Sequence, residues 1–534
     1  MPVSQIFTKI QKICKLLIYY PRYYSVLKNI SGRRISNKTI VINTIRRFPF
    51  VLHRELFIGL TIAKQGAKVI VLLDDGILKH LDTDKAKYHI QDEGKSTKFL
   101  PSKLKPFMLN LKSKFILRLY SHSNLSIIYY SSFLDNNLTN HKKKHIFDTF
   151  EIDCSEYALQ STKKYFENAE LDHSIPKVEK YYSKSLYNSN VSLAVGKYIL
   201  ETIKPDIFYS SHGIYSLWGA CFKYLFNRNI TTVVWGGYKS HTKISLASIE
   251  FQQLPCSREW RDFSSKTVDS KMTKVAVKHL KMRTEFKTED TKVIYRNVKQ
   301  NMDFIRPNNN LTFCAFSNVS WDGDVKERNK VFNGLIDWLE QTVRYFLTSN
   351  DKMLFVKSHP SELIPEFQGG SYPIVEILKK RIPEMVESKN IVHIPSDSGI
   401  NTYEFVVENV DVGLIYDGHL CLELPYLKIP TIVAGNGKFG APTGFNFHPT
   451  SMADYFNLLD NIDSLRSEFF NKYESLYENL IRYVFWYVQE TSFLLPTMVS
   501  DYNTLGKLNK EDVDIAINPN LKNTIERILG PVRI

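Results

Sequence analysis

The feature that most constrains this chain is an alternation in its second half. Short apolar runs over 311–316, 353–358, 390–394, 411–416 and 431–434 are separated by stretches with helical periodicity. Runs of this length, rich in β-branched and aromatic residues and lacking polar alternation, read as strands buried on both faces. Helices are predicted over 331–347, 374–382 and 402–409, with another from about 420. Strand, helix and strand in repetition imply right-handed crossovers and a parallel, doubly wound sheet. Ligands of such sheets lie beyond the carboxyl ends of the strands.

The first half opens the same way. A strand over 39–43 precedes a helix that carries Leu52, Leu56, Leu60 and Ala63 on one face and ends near Gly66; a buried strand over 68–73 then stops at Asp74-Asp75-Gly76. Further strands are predicted over 125–130, 206–210 and 230–235, with a helix over 215–226, while about 80–200 reads as mostly helical. The charged segment 257–300 approaches a boundary, and the tail from about 452 is helical and rich in aromatic residues. A chain of 534 residues exceeds one core. The expected fold class is α/β: two Rossmann-like doubly wound domains facing a cleft, with a helical insertion and a helical C-terminal tail. The division expected is 1–38, 39–300 with the insertion at about 80–200, 301–460, and 461–534.

Composition narrows the class. Hydrophobic content of 43% and aromatic content of 13% are those of a globular protein. Cys14, Cys154, Cys221, Cys256, Cys314 and Cys421 are scattered without a C-x-x-C pair, which fits buried thiols in a reducing, cytoplasmic compartment. No run reaches the roughly eighteen apolar residues of a membrane span, and the early run 16–20 ends on Pro21 without the features of a signal peptide.

The net charge of +15 is concentrated at the start, where lysines and arginines accumulate before the first acidic residue, Glu55. Between them Ile6, Phe7, Ile10, Ile13, Cys14 and Leu17 recur at helical spacing. Residues 1–38 therefore read either as a basic amphipathic segment for an anionic membrane surface or as a solvated basic helix packed on the domain. No nucleic-acid-binding module is recognisable, so nucleic acid is not an expected partner.

Several strand exits carry chemistry-bearing residues. The strand 353–358 ends on His359-Pro360 and delivers Glu362 to the same edge. Proline stops the ladder there, so His359 is held where it can donate to a phosphate oxygen or act as acid or base. Lys357, two residues back, points to the same side. Glu423 opens a helix; it is either a helix-start carboxylate or an acceptor for two sugar hydroxyls. Asp74 and Asp75 form either an ordinary turn or a general base for an acceptor hydroxyl, and His53 is a second candidate base. His212-Gly213 could hold an anion through backbone amides, and Gly236-Gly237 would allow close backbone approach to a ligand. Asp322-Gly-Asp324 and Asp82-Thr-Asp84 both match a D-x-D metal pattern, which shows how common that pattern is. His141–His145 reads as a solvated basic loop, and no metal site is expected.

The ordered series Asn318-Val-Ser-Trp321-Asp322, 338–343, His359-Pro-Ser-Glu362, Asn401-Thr-Tyr403, Tyr416 to Glu423, and Pro430 to Gly435 resembles the capsular polysaccharide biosynthesis proteins, which are related to bacterial capsule 3-deoxy-manno-octulosonic acid transferases. The resemblance is strongest over about 311–460. It implies the two-domain GT-B arrangement of glycosyltransferases, with 39–300 as the acceptor domain and 301–460 holding a nucleotide-activated sugar. His359 would contact the donor phosphate and Glu423 the ribose, without a catalytic metal or a tightly bound cofactor. His-Pro with Asp-Asp-Gly is also similar to bacterial sialyltransferases that use CMP-sugars, which would make Asp75 or Asp74 the base. The donor is thus a CMP-sugar or a nucleoside-diphosphate sugar. The acceptor is a polysaccharide or a lipid-linked glycan, and the location the cytoplasmic face of the membrane.

One departure stands out. Where the family carries hydroxyls between Tyr416 and Glu423, this chain has Asp417-Gly418-His419-Leu-Cys421. Asp417 would repel a phosphate, whereas His419 or the Gly418 amide could replace the missing donors. Two alternatives stay open: a polyol-phosphate or sugar-phosphate transferase of the teichoic-acid type, and a catalytically degenerate glycan- or nucleotide-binding assembly subunit.

Overall fold

The computed structural model describes residues 24–32, 36–45, 49–79, 117–134, 152–168, 170–240, 243–288, 291, 311–319, 321, 330–349, 351–362, 373–440, 442–496 and 509–530. Both D-x-D pairs, His141–His145 and most of 1–38 lie outside these residues.

The first sheet is built from β1 (Thr39–Ile45), β2 (Lys68–Asp74), β3 (Leu125–Tyr129), β4 (Ile207–Ser211), β5 (Thr231–Ser240) and β6 (Lys243–Ala247). The second contains β7 (Leu311–Phe316), β8 (Lys352–Lys357), β9 (Ile391–Ile394), β10 (Val412–Ile415) and β11 (Thr431–Val433). A last strand, β12 (Ser492–Leu494), comes from the tail. The helices that matter below are α1 (Pro49–Lys64), α2 (Cys154–Phe166), α3 (Pro176–Tyr198), α4 (Gly219–Phe226), α5 (Ser270–Thr284), α6 (Leu335–Leu347), α7 (Thr402–Asn409), α8 (Leu420–Tyr426), α9 (Tyr473–Phe485) and α10 (Pro519–Leu529).

Strand order in the first sheet is β12-β6-β5-β4-β1-β2-β3, and in the second β11-β10-β7-β8-β9. Strands β3-β2-β1-β4-β5 and all of the second sheet are parallel. Both halves thus follow the doubly wound order 3-2-1-4-5, so the fold is α/β with two Rossmann-like domains, as expected. Each sheet has one switch point, between β1 and β4 and between β7 and β10.

The central strands are buried on both faces because both are covered by helices. Ile40, Val41, Ile42, Val69, Val71 and Leu72 are fully excluded from solvent. On the second sheet, Phe313, Ala315, Leu354, Val356, Val412 and Leu414 face α6, which contributes Trp338, Leu339, Val343 and Phe346. Those α6 positions recur at three- and four-residue spacing, as an amphipathic helix requires. The opposite face, with Cys314, Phe316, Phe355 and Ile415, joins the apolar core of the first domain. Helices α5 and α9 pack on each other, and both pack on α8.

Three expectations need correction. The strand expected to end at 235 continues through Gly236 and Gly237 and turns back as β6, with a register shift between Gly236 and Ser240. The tail is not wholly helical: β12 pairs antiparallel with β6 and extends the first domain's sheet. Residues 1–38 do not form one separate segment. Leu27 and Ile30 are buried, the Ser31 hydroxyl donates to Asp514 Oδ2 at 2.7 Å, and Lys38 Nζ donates to the Leu529 carbonyl at 2.6 Å. The second half of that segment is therefore part of the first domain and its tail clasp.

Candidate functional site

The exits of β7, β8 and β9 lie side by side, because Phe316 pairs with Lys357 and Lys357 with Ile394. The ladder continues one residue further: Ser317 N donates to the Lys357 carbonyl and Ser358 N to that of Ile394, each at 3.0 Å. Pro360 then ends β-pairing, and Pro360–Glu362 forms one turn of 3₁₀ helix. His359 N donates to Ser317 Oγ at 2.9 Å. Glu362 is turned back over this edge, with Ser317 Oγ 3.5 Å from Oε1 and Ser396 Oγ 3.3 Å from Oε2. Ser358 Oγ lies 3.0 Å from His393 Nε2. Lys357, His359 and Glu362, separate candidates in the sequence, are therefore brought to one place.

Burial sets the electrostatics of this edge. It pushes His359 down to about 4, with Lys357 adding to the shift. It pushes His393 down to about 4 as well, with Lys379 next in importance. Lys357 is lowered by the same cause, opposed by Cys314 and Glu362. Glu362 is raised to about 7 by burial, against hydrogen bonds that favour its charged form. Near neutral pH both imidazoles are uncharged donors or acceptors, and Glu362 is close to its midpoint.

At the switch point, Asn318 Nδ2 donates to the Asp417 carbonyl at 3.2 Å and joins the β7 and β10 exits. The Asp417 side chain points into the 437–439 turn, where its Oδ1 accepts from Phe439 N at 3.1 Å. Gly437 leaves room for this carboxylate, since a Cβ there would collide with it. Gly418 adopts φ +135°, a backbone conformation that L side chains rarely reach, beside Asn318. His419 rests on Phe439, with ring centroids 4.1 Å apart.

Glu423 is buried, and both of its oxygens have partners. Oε1 is held by Arg283 Nε from α5, and Oε2 accepts from the Tyr403 hydroxyl of α7 at 2.9 Å. Arg283 is also buried. The residue that would meet a ribose is thus part of an ion pair between α5 and the second domain.

The first-domain candidates are dispersed. Asp74 is buried, and its Oδ1 accepts from the amides of Gly76 and Leu78, each at 3.1 Å. Asp75 is half-buried and accepts from both the amide and the hydroxyl of Ser131. His53 is buried on α1, 2.9 Å from the Tyr120 hydroxyl. His212 has a left-handed backbone and lies against Trp235 and Trp218. Gly236 and Gly237 lie within β5, next to the Arg54–Glu55–Trp235 group. In that group Trp235 Nε1 donates to Glu55 Oε1 at 2.9 Å, and the Arg54 guanidinium stacks 3.7 Å from the Trp235 ring centre. Burial raises Glu55 to about 7; Thr44, Arg54 and Trp235 oppose the shift.

Sequence reasoning missed Ser317, Ser358, His393 and Ser396, although each lies at or just beyond a strand exit and that position was the available signal. It also missed Arg283 and Tyr403, for which no local signal exists. Among the described residues no cluster of histidine, cysteine or carboxylate side chains has metal-binding geometry, and no helix is long and apolar enough to cross a membrane.

No family model and no curated protein matches the sequence. Among solved structures, the chain is similar to a UDP-GlcNAc 2-epimerase from Neisseria meningitidis bound to UDP-GlcNAc, at 11% identity over 85% of this chain and 99% of that one, with a TM-score of 0.25. It is also similar to the beta Kdo 2,7 transferase KpsC of Thermosulfurimonas dismutans, at 13% identity over 48% of this chain and 72% of that one, with a TM-score of 0.29. A glycosyltransferase of kitacinnamycin aligns at 10% identity over 84% of this chain and 95% of that one, with a TM-score of 0.22. The fold assignment rests on the strand order of the two sheets.

Proposed function

We propose that the chain is a GT-B-type glycosyltransferase that moves a sugar from a nucleotide-activated donor to a surface polysaccharide or glycolipid. The observation that carries this reading is the gathering of Lys357, His359 and Glu362 at the carboxyl edge of the second sheet, next to the β7/β10 switch point. The donor phosphate would lie against His359, with the Gly418 amide and His419 closing the other side. A neutral imidazole N–H at the leaving phosphate stabilises charge as the glycosidic C–O bond breaks, and such preorganised donors account for much of the catalysis in phosphate-leaving reactions.

On the acceptor side, Asp75 is the base this geometry favours over Asp74 and His53. It alone of the three is not buried, while Asp74 is committed to two backbone amides and His53 is enclosed against Tyr120. The first test is a thermal-shift screen with CMP, UDP, GDP, CDP and their sugars, because a nucleotide that binds only the native state raises its melting temperature. Product analysis with His359→Gln follows; unchanged transfer by that variant would contradict the assignment.

A second reading is favoured by the Glu423 geometry. With both carboxylate oxygens held by Arg283 and Tyr403, and with no hydroxyls in the 417–421 loop, the chain could bind a nucleotide or glycan as an assembly subunit without turnover. Nucleotide binding without product across the sugar panel would support it. Membrane association is part of the first proposal and is tested by vesicle binding with and without residues 1–22, a cut that spares the buried contacts of Leu27, Ile30 and Ser31.

A further inference from the structure

Glu362 is poorly suited to meet a phosphate as an anion, since two negative groups would share one edge. Its geometry offers another role. The Ser317 and Ser396 hydroxyls stand 3.5 and 3.3 Å from its oxygens. Hydroxyl bonds that clasp a carboxylate run at about 2.5–2.7 Å, so these serines do not grip a charge. Ser317 Oγ also receives His359 N, and Ser358 Oγ is shared with His393. The carboxyl group therefore sits among neutral hydroxyls and neutral imidazoles. The charged and titratable groups around it are Lys357 on β8, His359 at its exit and His393 on β9, with Lys379, Glu376 and Asp397 farther out, acting on His393.

We propose that Ser317, Ser358, Ser396, His359, His393 and Glu362 form a phosphate subsite in which Glu362 acts as a hydrogen-bond donor, so that the phosphate binds together with one proton. This deepens the nucleotide-sugar reading and rests on it. The raised affinity of Glu362 for its proton in the free protein is consistent with this role, because burial already favours the neutral acid. A dianionic phosphate at hydrogen-bond distance would strengthen that preference, and the proton would come from solvent. The site would then favour a terminal, dianionic phosphate over a neutral or singly charged ligand of the same shape.

The experiment is calorimetric titration of the full chain with CMP, UDP and inorganic phosphate at pH 7, in two buffers of different protonation enthalpy. The wild type should take up protons on binding, and its affinity should fall as pH rises from 6 to 8, by at most about tenfold per unit. Glu362→Gln keeps an N–H donor, so it should bind with comparable affinity at pH 7, take up fewer protons and show a flatter pH profile. His359→Gln should retain the uptake. Binding without proton uptake by the wild type, or uptake that persists in Glu362→Gln and vanishes in His359→Gln, overturns the inference while leaving the nucleotide site standing. No binding of any of the three ligands overturns both. The wild-type measurement decides the matter even if a variant fails to fold.

Discussion

At the carboxyl edge of the first sheet the ionisable side chains close on one another. Glu55 meets the Trp235 indole, Arg54 stacks on the same ring, His53 meets Tyr120, and Asp74 holds two turn amides. At the edge of the second sheet, Glu362 and His359 are surrounded by serine hydroxyls and keep partial contact with solvent. The same physical agent, burial, raises Glu55 and Glu362 alike to about 7. What differs is the company: Glu55 has a fixed indole partner, while Glu362 has groups that can turn toward a ligand. A shifted acid marks a site only when its surroundings leave a role for something else.

The largest expected effect probes the one place where the second domain behaves like the first. Arg283→Leu leaves Glu423 buried without its cation and should lower unfolding free energy by about 3–5 kcal/mol, read from urea melts. A loss below about 1 kcal/mol would mean that Glu423 is not committed to the ion pair and stands open to a ligand.

The next test separates the two acids. Glu55 binds its proton more tightly in the folded chain than in the unfolded one. The stability linked to it is therefore intact below about pH 4.5 and is lost as pH rises through about 7, on the order of 3 kcal/mol in all. Glu55→Gln should remove that loss, giving a flatter stability–pH curve in denaturant titrations at several pH values. Glu362→Gln should flatten the curve in the same direction by less, because Glu362 is partly exposed. Added nucleotide should alter the Glu362-linked component and leave the Glu55 component unchanged.

The two buried histidines should then divide by readout. His359→Gln should slow sugar transfer by about 10²-fold with little change in melting temperature. His53→Ala should lower stability by about 1–3 kcal/mol, since it strands the Tyr120 hydroxyl. The smallest expected effects concern the adjacent aspartates. Asp74→Ala should cost about 1 kcal/mol of stability through its two lost amide bonds, whereas Asp75→Asn should stay within about 0.5 kcal/mol and act on turnover instead. If Asp74→Ala loses turnover at full stability, the order proposed for these two residues reverses.

The tandem parallel sheets were legible because each central strand is a short apolar run between helical segments. The strands β6 and β12 were not. The first is antiparallel and only partly buried, and the second is three residues long and finds its partner some 250 positions away. Edge strands carry little of the apolar signal that identifies central ones. Within the candidate site, His359 and Glu362 were found because Pro360 forces a strand exit there. The serines at neighbouring exits were passed over, because a hydroxyl acquires significance only from what faces it.

What this sequence determined by itself is the layer architecture and the edge on which polar groups collect, since apolar periodicity and proline act through neighbouring residues. Only the tertiary structure decided which polar groups are already satisfied. Glu423 is held by Arg283, 140 positions away, and Asp417 turns into a glycine-lined loop rather than toward the β8 exit. Charge and hydrogen bonding act through space, and a chain that folds into two sheets brings together groups whose separation in sequence carries no trace of the contact.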